Sequence, residues 1–206
     1  MEKLIIASRN RKKTFELVTL LAPLGIGLKN LDDFPGAPEP DETGGTFEEN
    51  AKIKAYSALA YTNLPALADD SGLEVAALGG EPGVRSARFA GEEADDSANN
   101  RLLLQKLAGV PRERRQARFV SVIALARPDG RTVVFRGETS GLIVETPKGE
   151  RGFGYDPLFL SDELGITFGQ ADGETKNRIS HRGRALAGLI TALKREMAYT
   201  AHGMKH

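Results

Sequence analysis

The sequence predicts an α/β fold with a mixed β-sheet, and three features carry that prediction. Short apolar runs of the buried-strand type are interleaved with segments whose apolar residues recur at helical spacing. Some consecutive strands are separated by a helix, the connection a parallel pair requires. Another pair is joined by a tight turn that makes a hairpin. No internal repeat and no low-complexity linker divides the 206-residue chain.

Leu4–Ala7 reads as a buried strand, and Phe15, Val18 and Leu21 after it follow a helical period. Leu28–Leu31 is a weaker second strand. Asp33–Gly45, rich in Pro, Gly and acids, is a long loop, and loops of that length in compact domains are commonly functional. Thr46 and Glu49 form a capping box that opens a helix running to about Tyr61, with Phe47, Ala51, Ala55 and Ala58 as its apolar stripe. Leu64–Ala68 is a buried strand that runs into a turn at Asp69-Asp70-Ser71-Gly72, with another strand near Leu73–Ala77. Asp95–Ala108 is helical, with Leu102, Leu103 and Leu107 inward. Ala117–Ala126 and Thr132–Phe135 pair across Pro128-Asp129-Gly130, and a further strand lies near Gly141–Glu145. Gly152–Pro157 is a glycine-rich turn before a strand at Leu158–Leu160. Ser180 caps a final helix carrying Leu186, Ile190, Leu193 and Met197. A single domain at 1–197 and a flexible tail at 198–206 are expected.

Composition narrows the classes. Apolar residues at 40% and charged residues at 27% place the chain among globular proteins, long enough to build a core without staples. The absence of cysteine removes disulfides, thiolate zinc sites and cysteine nucleophiles. The apolar run in MEKLIIASRN is too short for a signal peptide, and no stretch is long enough to span a bilayer. A cytoplasmic protein with no membrane partner is expected. Lys plus Arg and Asp plus Glu both number 28, so bulk charge selects no partner. The charges are nonetheless segregated: seven acids and no base from Asp32 to Glu49, four cations in Arg9–Lys13, and seven Lys/Arg against one acid from Lys176 onward. Such blocks build sites where a divalent cation meets a polyanion, or else simply solvate opposite faces.

Five stretches carry possible chemistry. Ser8-Arg-Asn-Arg-Lys-Lys13 lies between a strand and a helix, where backbone N–H groups, a hydroxyl, an amide and lysines make an anion site. The Walker pattern is absent, and an ordinary strand-to-helix turn fits the same residues. Asp69 and Asp70 at a strand end need a compensating charge if buried, and oxygen-only ligands select Mg²⁺ or Mn²⁺; on the surface, the same residues make an Asx turn. Glu42 sits in the acidic loop, and Asn50 and Lys54 share a face of the helix after it. In Phe153-Gly-Tyr-Asp156, an aromatic between glycines suits stacking on a planar ligand, and a tight turn with core aromatics is the plainer alternative. Lys176, His181 and Arg182 stand at a helix start, against the macrodipole, a conflict expected near an anionic or oxo-bearing ligand.

Together these stretches resemble the inosine triphosphate pyrophosphatase family. The matching residues are Ser8–Lys13 with Glu16, Glu42–Asn50 with Lys54, Ala68–Leu73, Pro82–Arg88, Gly152–Pro157, Lys176, and Ser180–Gly183, in family order over nearly the whole chain. Ser8 stands where threonine is also common, Arg85 takes a place often filled by an aromatic, and nothing after Arg195 matches. The resemblance implies a long twisted mixed sheet with flanking helices, two lobes around a nucleotide cleft, and a homodimer. It implies a Mg²⁺-dependent hydrolase, with Mn²⁺ as a substitute, that splits ITP, dITP and XTP into monophosphate and pyrophosphate. By position, Ser8, Arg9, Asn10, Arg11, Lys12, Lys13 and Lys54 hold the triphosphate. Glu42 and Asp70 coordinate the metal with Asp69 close by, and Asp70 is the base. Ser71, Phe153, Gly154, Tyr155, Asp156, Lys176, His181 and Arg182 surround the nucleoside. The residues alone cannot separate Asp69 from Asp70 as base. A relative acting on pyrimidine or modified nucleotides is the second reading. A nucleic-acid module using the four arginines of Arg112–Arg118 is the third; that run lacks interleaved aromatics, so no nucleic-acid partner is expected.

Overall fold

The computed structural model of the chain describes residues 3–92 and 95–203. Its elements are β1 (Lys3–Ile6), α1 (Arg11–Leu21), β2 (Gly27–Asn30), α2 (Phe47–Thr62), β3 (Ala66–Val75), α3 (Asp96–Lys106), β4 (Gln116–Ala126), β5 (Thr132–Ile143), β6 (Phe159–Ser161), α4 (Gly173–Ile179) and α5 (His181–Gly203). The six strands form one sheet in the order β2-β1-β3-β4-β5-β6. β1 is parallel to β2 and to β3, and β6 is antiparallel to β5, so the sheet is mixed, as the sequence predicts. Of the tail expected at 198–206, residues 198–203 continue α5 and 204–206 lie outside the described residues. Among the described residues, no helix is long and apolar enough to cross a membrane.

The chain folds into two compact units. The first comprises Met1–Asp70, Val122–Arg136 and Gly183–His206. Its core joins Leu4 and Ile6 of β1, Leu17 and Leu21 of α1, Leu67 of β3, Ile123 and Leu125 of β4, and Leu186, Leu189 and Leu193 of α5. Each such side chain fully withdrawn from water contributes about 1.5–3 kcal/mol. The second unit comprises Ser71–Ser121 and Gly137–Arg182, around Leu73, Leu103, Phe119, Ile143, Leu158, Phe159 and Phe168. Phe119, Phe159 and Phe168 pack together there, with ring centroids 4.6–5.9 Å apart.

Three predicted elements need correction. Asp69–Gly72 is no turn: β3 runs unbroken from Ala66 to Val75. An Asx turn bends a chain when the side chain bonds its own backbone; here lysines engage both carboxylates instead. The strand placed near Gly141–Glu145 is the far end of β5. Lys176 stands in the last turn of α4, a short helix with few apolar residues to mark it, where a cation complements the dipole. His181 and Arg182 begin α5, and Ser180, with extended backbone, both ends α4 and immediately precedes α5.

Candidate active site

In the first unit the chemistry gathers at the end of β1 and on β3. Asn10 is the N-cap of α1, and its Oδ1 accepts from the backbone N–H groups of Lys12 and Lys13, both at 3.1 Å. Its own N–H donates to Ser8 Oγ at 3.2 Å. The first turn of α1 holds no acid and three cations, Arg11, Lys12 and Lys13. Cations at the positive end of a helix are costly unless an anion joins them. Arg11 and Lys12 are exposed, while Lys13 reaches inward with its ammonium 3.5 Å from the buried Asp69 carboxylate. The Arg9 guanidinium donates to the Ala37 carbonyl at 2.7 Å and lies within 4 Å of Asp32 and Glu39.

Successive residues of a strand point to opposite faces, so Asp69 and Asp70 have different partners. Asp69 meets Lys13; Asp70 Oδ1 accepts from Lys54 Nζ at 2.7 Å. The same ammonium lies 3.2 Å from Glu42 Oε1. Lys54 thus joins Glu42 and Asp70, while Asp69 lies against Lys13 and its charge also acts on Lys54. Asp70 Oδ2 is buried and accepts no hydrogen bond. Burial pushes the Asp70 carboxyl above the usual aspartate range, although Lys54 and Lys13 pull the other way. Burial lowers the Lys54 ammonium, but the charges of Asp70 and Glu42 outweigh it and leave it raised. Three carboxylates share two ammonium groups here, and both Asp70 and Lys54 hold protons more tightly than in water. The locality attracts positive charge, and an orphaned carboxylate oxygen is a ready ligand for a hard cation. Among the described residues, no three acidic or imidazole side chains already converge on one point.

The loop bearing Glu42 is fixed by Asn50, a buried residue of α2 whose Oδ1 accepts from the Gly44 N–H at 2.8 Å. A Cβ on Gly44 would come within 2.6 Å of Glu49 Cβ and 2.7 Å of Asn50 Oδ1, so only glycine allows this approach. Thr46 and Glu49 complete the predicted capping box at the start of α2.

In the second unit, Asp156 Oδ2 accepts from Lys176 Nζ at 2.6 Å and from the Phe153 N–H at 2.8 Å. The carboxylate pins the glycine-rich turn to α4. Gly152 has φ of +75°, and any Cβ there would run into that carboxylate. Lys176 Nζ lies 4.7 Å from the Phe153 ring centroid and Arg182 Cζ 5.8 Å from it. Arg182 Nη2 donates to Ser71 Oγ at 2.8 Å, and the His181 ring stacks on Phe119 at 4.7 Å. Tyr155 is a core residue whose hydroxyl donates to the Ser86 carbonyl at 2.8 Å. Gly154 is held by Asn100 and Asp96. Phe119, Asp96 and Asn100 lie outside the matching stretches, and the helical spacing of Asp96 and Asn100 is the one signal that marks them. Two arginines of the Arg112–Arg118 run are engaged internally: Arg115 donates to the Leu107 and Val110 carbonyls, and Arg118 to Glu74 and Glu138.

One unit therefore carries an anion-attracting helix start beside a cation-attracting pair of carboxylates, and the other an aromatic turn lined with buried cations. The first set of groups suits an anion such as phosphate, and the second a planar ring. The chain belongs to the Ham1 family, whose sequence model matches residues 4–192. It is 52% identical over 189 residues to a dITP/XTP pyrophosphatase of Geobacter sulfurreducens, covering 92% of this chain and 95% of that protein. It is 54% identical over 187 residues to a dITP/XTP pyrophosphatase of an Exiguobacterium species, covering 91% and 94%. Among solved structures it is similar to a HAM1 protein from Coxiella burnetii, with a TM-score of 0.87, 42% identity, and 95% and 100% of the two chains covered. The Ham1 protein of Staphylococcus aureus gives 0.85 at 42% identity, covering 94% and 99%.

Proposed function

We propose that this chain hydrolyses the non-standard purine nucleotides ITP, dITP and XTP to the monophosphate and pyrophosphate, clearing them from the nucleotide pool. The observation that carries the reading is the Glu42–Lys54–Asp70 group with its unbonded buried Asp70 oxygen, in a chain half identical to dITP/XTP pyrophosphatases. The all-oxygen donors and the raised proton affinities fit Mg²⁺, with Mn²⁺ as a substitute, held by Glu42 and Asp70. When bound, the metal supplies neutralisation of phosphate charge.

Ser8, Asn10, Arg11, Lys12 and Lys13 bind the triphosphate through the N–H groups and cations of the α1 start, and Asp69 keeps Lys13 directed inward. Lys54 lends its charge to the same phosphates. Asp70 accepts a proton from water as its oxygen attacks the α-phosphorus. The bond from that phosphorus to the bridging oxygen breaks, and pyrophosphate leaves. Phe153 stacks on the base, while Ser71, Gly154, Tyr155 and Asp156 set the shape of its surroundings. Lys176, His181 and Arg182 direct donors at the 6-oxygen of hypoxanthine or xanthine. Adenine presents an amine there and leaves those donors unmatched, a mismatch worth as much as ~10⁴–10⁵ in discrimination. Guanine is refused at its 2-amino group by the wall near Phe153–Asp156. The protein works in the cytoplasm as a homodimer.

The test is ITP turnover under EDTA and after Mg²⁺ is restored, with Asp70→Asn and Glu42→Gln beside the wild type. Activity should vanish and return with the metal and fall sharply in Glu42→Gln. Asp70→Asn should keep the fold and lose about 10²–10⁴ in kcat. Near-normal turnover by a folded Asp70→Asn protein contradicts the assignment.

A further inference from the structure

The glycine-rich turn is gripped by a helix outside the five candidate motifs. Asp96 and Asn100 lie one turn apart on α3 and so share a face. The Gly154 N–H donates to Asp96 Oδ2 at 2.9 Å, and Asn100 Nδ2 donates to the Gly154 carbonyl at 2.9 Å. Both polar groups of one residue are thus taken by two side chains of one helix. Gly154 has φ of +60°, a conformation with no intrinsic preference over its alternatives in glycine, so outside contacts must select it. Asn100 Oδ1 is buried and accepts nothing, so the bond to Gly154 alone sets which way its amide faces. A buried acceptor left unused weighs against the fold, and the return on it is the placement of Gly154.

The helix is itself fixed from behind. Asn99, buried beside them, accepts from the Ala90 N–H at 2.8 Å and donates to the Ala87 carbonyl at 3.0 Å. The short helical stretch Gly83–Arg88 leading to that point holds Ser86, whose Oγ accepts from the Leu73 N–H of β3 at 2.8 Å. Tyr155 closes the circuit through its bond to the Ser86 carbonyl. The residues on either side of Gly154, Phe153 and Tyr155, are therefore held at separate points, and Gly154 decides the angle between them.

We infer that Asp96 and Asn100 are positioning residues for base recognition: they clamp Gly154 and thereby set the plane of the Phe153 ring. The inference rests on the reading of Phe153 as the platform for the base. Without the clamp the turn keeps its Asp156 and Ser86 bonds, so the fold survives, but the ring samples several orientations and binds the base more weakly. The triphosphate is bound by other residues and is unaffected.

The experiment compares Asp96→Ala, Asn100→Ala, Asp96→Asn and Phe153→Ala, measuring KM and kcat for ITP and inhibition by inorganic tripolyphosphate, which has no base. Loss of one such bond should raise KM for ITP about 3–10-fold, with kcat changed little and tripolyphosphate inhibition unchanged. Asp96→Asn retains an acceptor oxygen and should restore near-wild-type KM, which a merely structural role of the charge would not. Asp96 is exposed in the first turn of α3, so its variants remain informative even if Asn100→Ala does not fold. If Phe153→Ala raises KM while both alanine variants of α3 leave it unchanged, the clamp is wrong and the platform stands. Equal weakening of tripolyphosphate by the α3 variants also overturns the clamp, because the damage is then general. If Phe153→Ala itself leaves KM for ITP unchanged, the platform fails and the clamp falls with it.

Discussion

Asp69 and Asp70 are chemically identical neighbours with different partners, and the difference comes from the strand that carries them. Asp69 is spent on Lys13, whereas Asp70 keeps one oxygen free of hydrogen bonds and shares Lys54 with Glu42. The raised proton affinity of Asp70 gives a pH signature. Its contribution to stability is fully present below the ordinary aspartate value of 3.8 and is lost as pH rises through the higher folded value. Protonated Asp70 cannot act as base, so the acid limb of kcat/KM should lie above the usual aspartate range. Mg²⁺ competes with that proton, so saturating metal should move the limb to lower pH. Rate profiles at low and high Mg²⁺ check this, and a limb that ignores the metal separates Asp70 from the metal site. Lys54→Met removes the ammonium that Glu42 and Asp70 share and leaves Asp70 only the charge of Lys13. The loss should reach the lower end of about 3–5 kcal/mol, because Asp70 takes up a proton in place of the missing ammonium. Chemical denaturation at neutral and acidic pH should show that cost shrinking as pH falls.

At the scale of elements, the active residues depend on how helix starts and loops are anchored. The Glu42 loop hangs on the bond from Gly44 to Asn50, with no space for a methyl group beside it. Gly44→Ala should therefore displace Glu42, cost about 1–3 kcal/mol, and raise the Mg²⁺ concentration needed for half-maximal activity. A metal titration of the variant checks it. The capping box at Thr46 and the strand-to-helix turn at Ser8–Lys13 were legible in the sequence because their signals are local: a cap residue, a period, a cluster of like charges. The course of β3 was not. Asp-Asp-Ser-Gly reads as a turn by composition, but it continues β3 between β1 and β4 in the sheet, with its carboxylates engaged by Lys13 and Lys54 from α1 and α2. The bond from Arg9 to the Ala37 carbonyl was equally hidden, since the two lie 28 residues apart in sequence. The short α4, with few apolar residues, offered no period to find. The candidate residues stand out as motifs, but their mutual pairings do not, because pairing is a long-range property.

At the scale of the molecule, each compact unit holds a part of the chemistry on its own core. The first has the anion-attracting helix start and the carboxylates; the second has the aromatic turn with Lys176, His181 and Arg182. A nucleotide that binds only the native state should stabilise the protein by about 2.7 kcal/mol at a hundred times its Kd. For a chain of this size that corresponds to roughly 5–10 °C in Tm. ITP with Ca²⁺ in place of Mg²⁺, to slow turnover, should give such a shift, and ATP at the same concentration a much smaller one. Lys13→Met should lose most of the shift without lowering the Tm of the free protein by more than a few degrees. The central claim is that the protein splits non-standard purine triphosphates at the bond that frees pyrophosphate, and one assay addresses it directly. ITP, XTP, GTP and ATP are each turned over with Mg²⁺, and pyrophosphate and phosphate are quantified separately. The expected result is pyrophosphate as the product and kcat/KM for ITP and XTP far above that for GTP and ATP. Release of single phosphates, or equal kcat/KM across the four nucleotides, contradicts it.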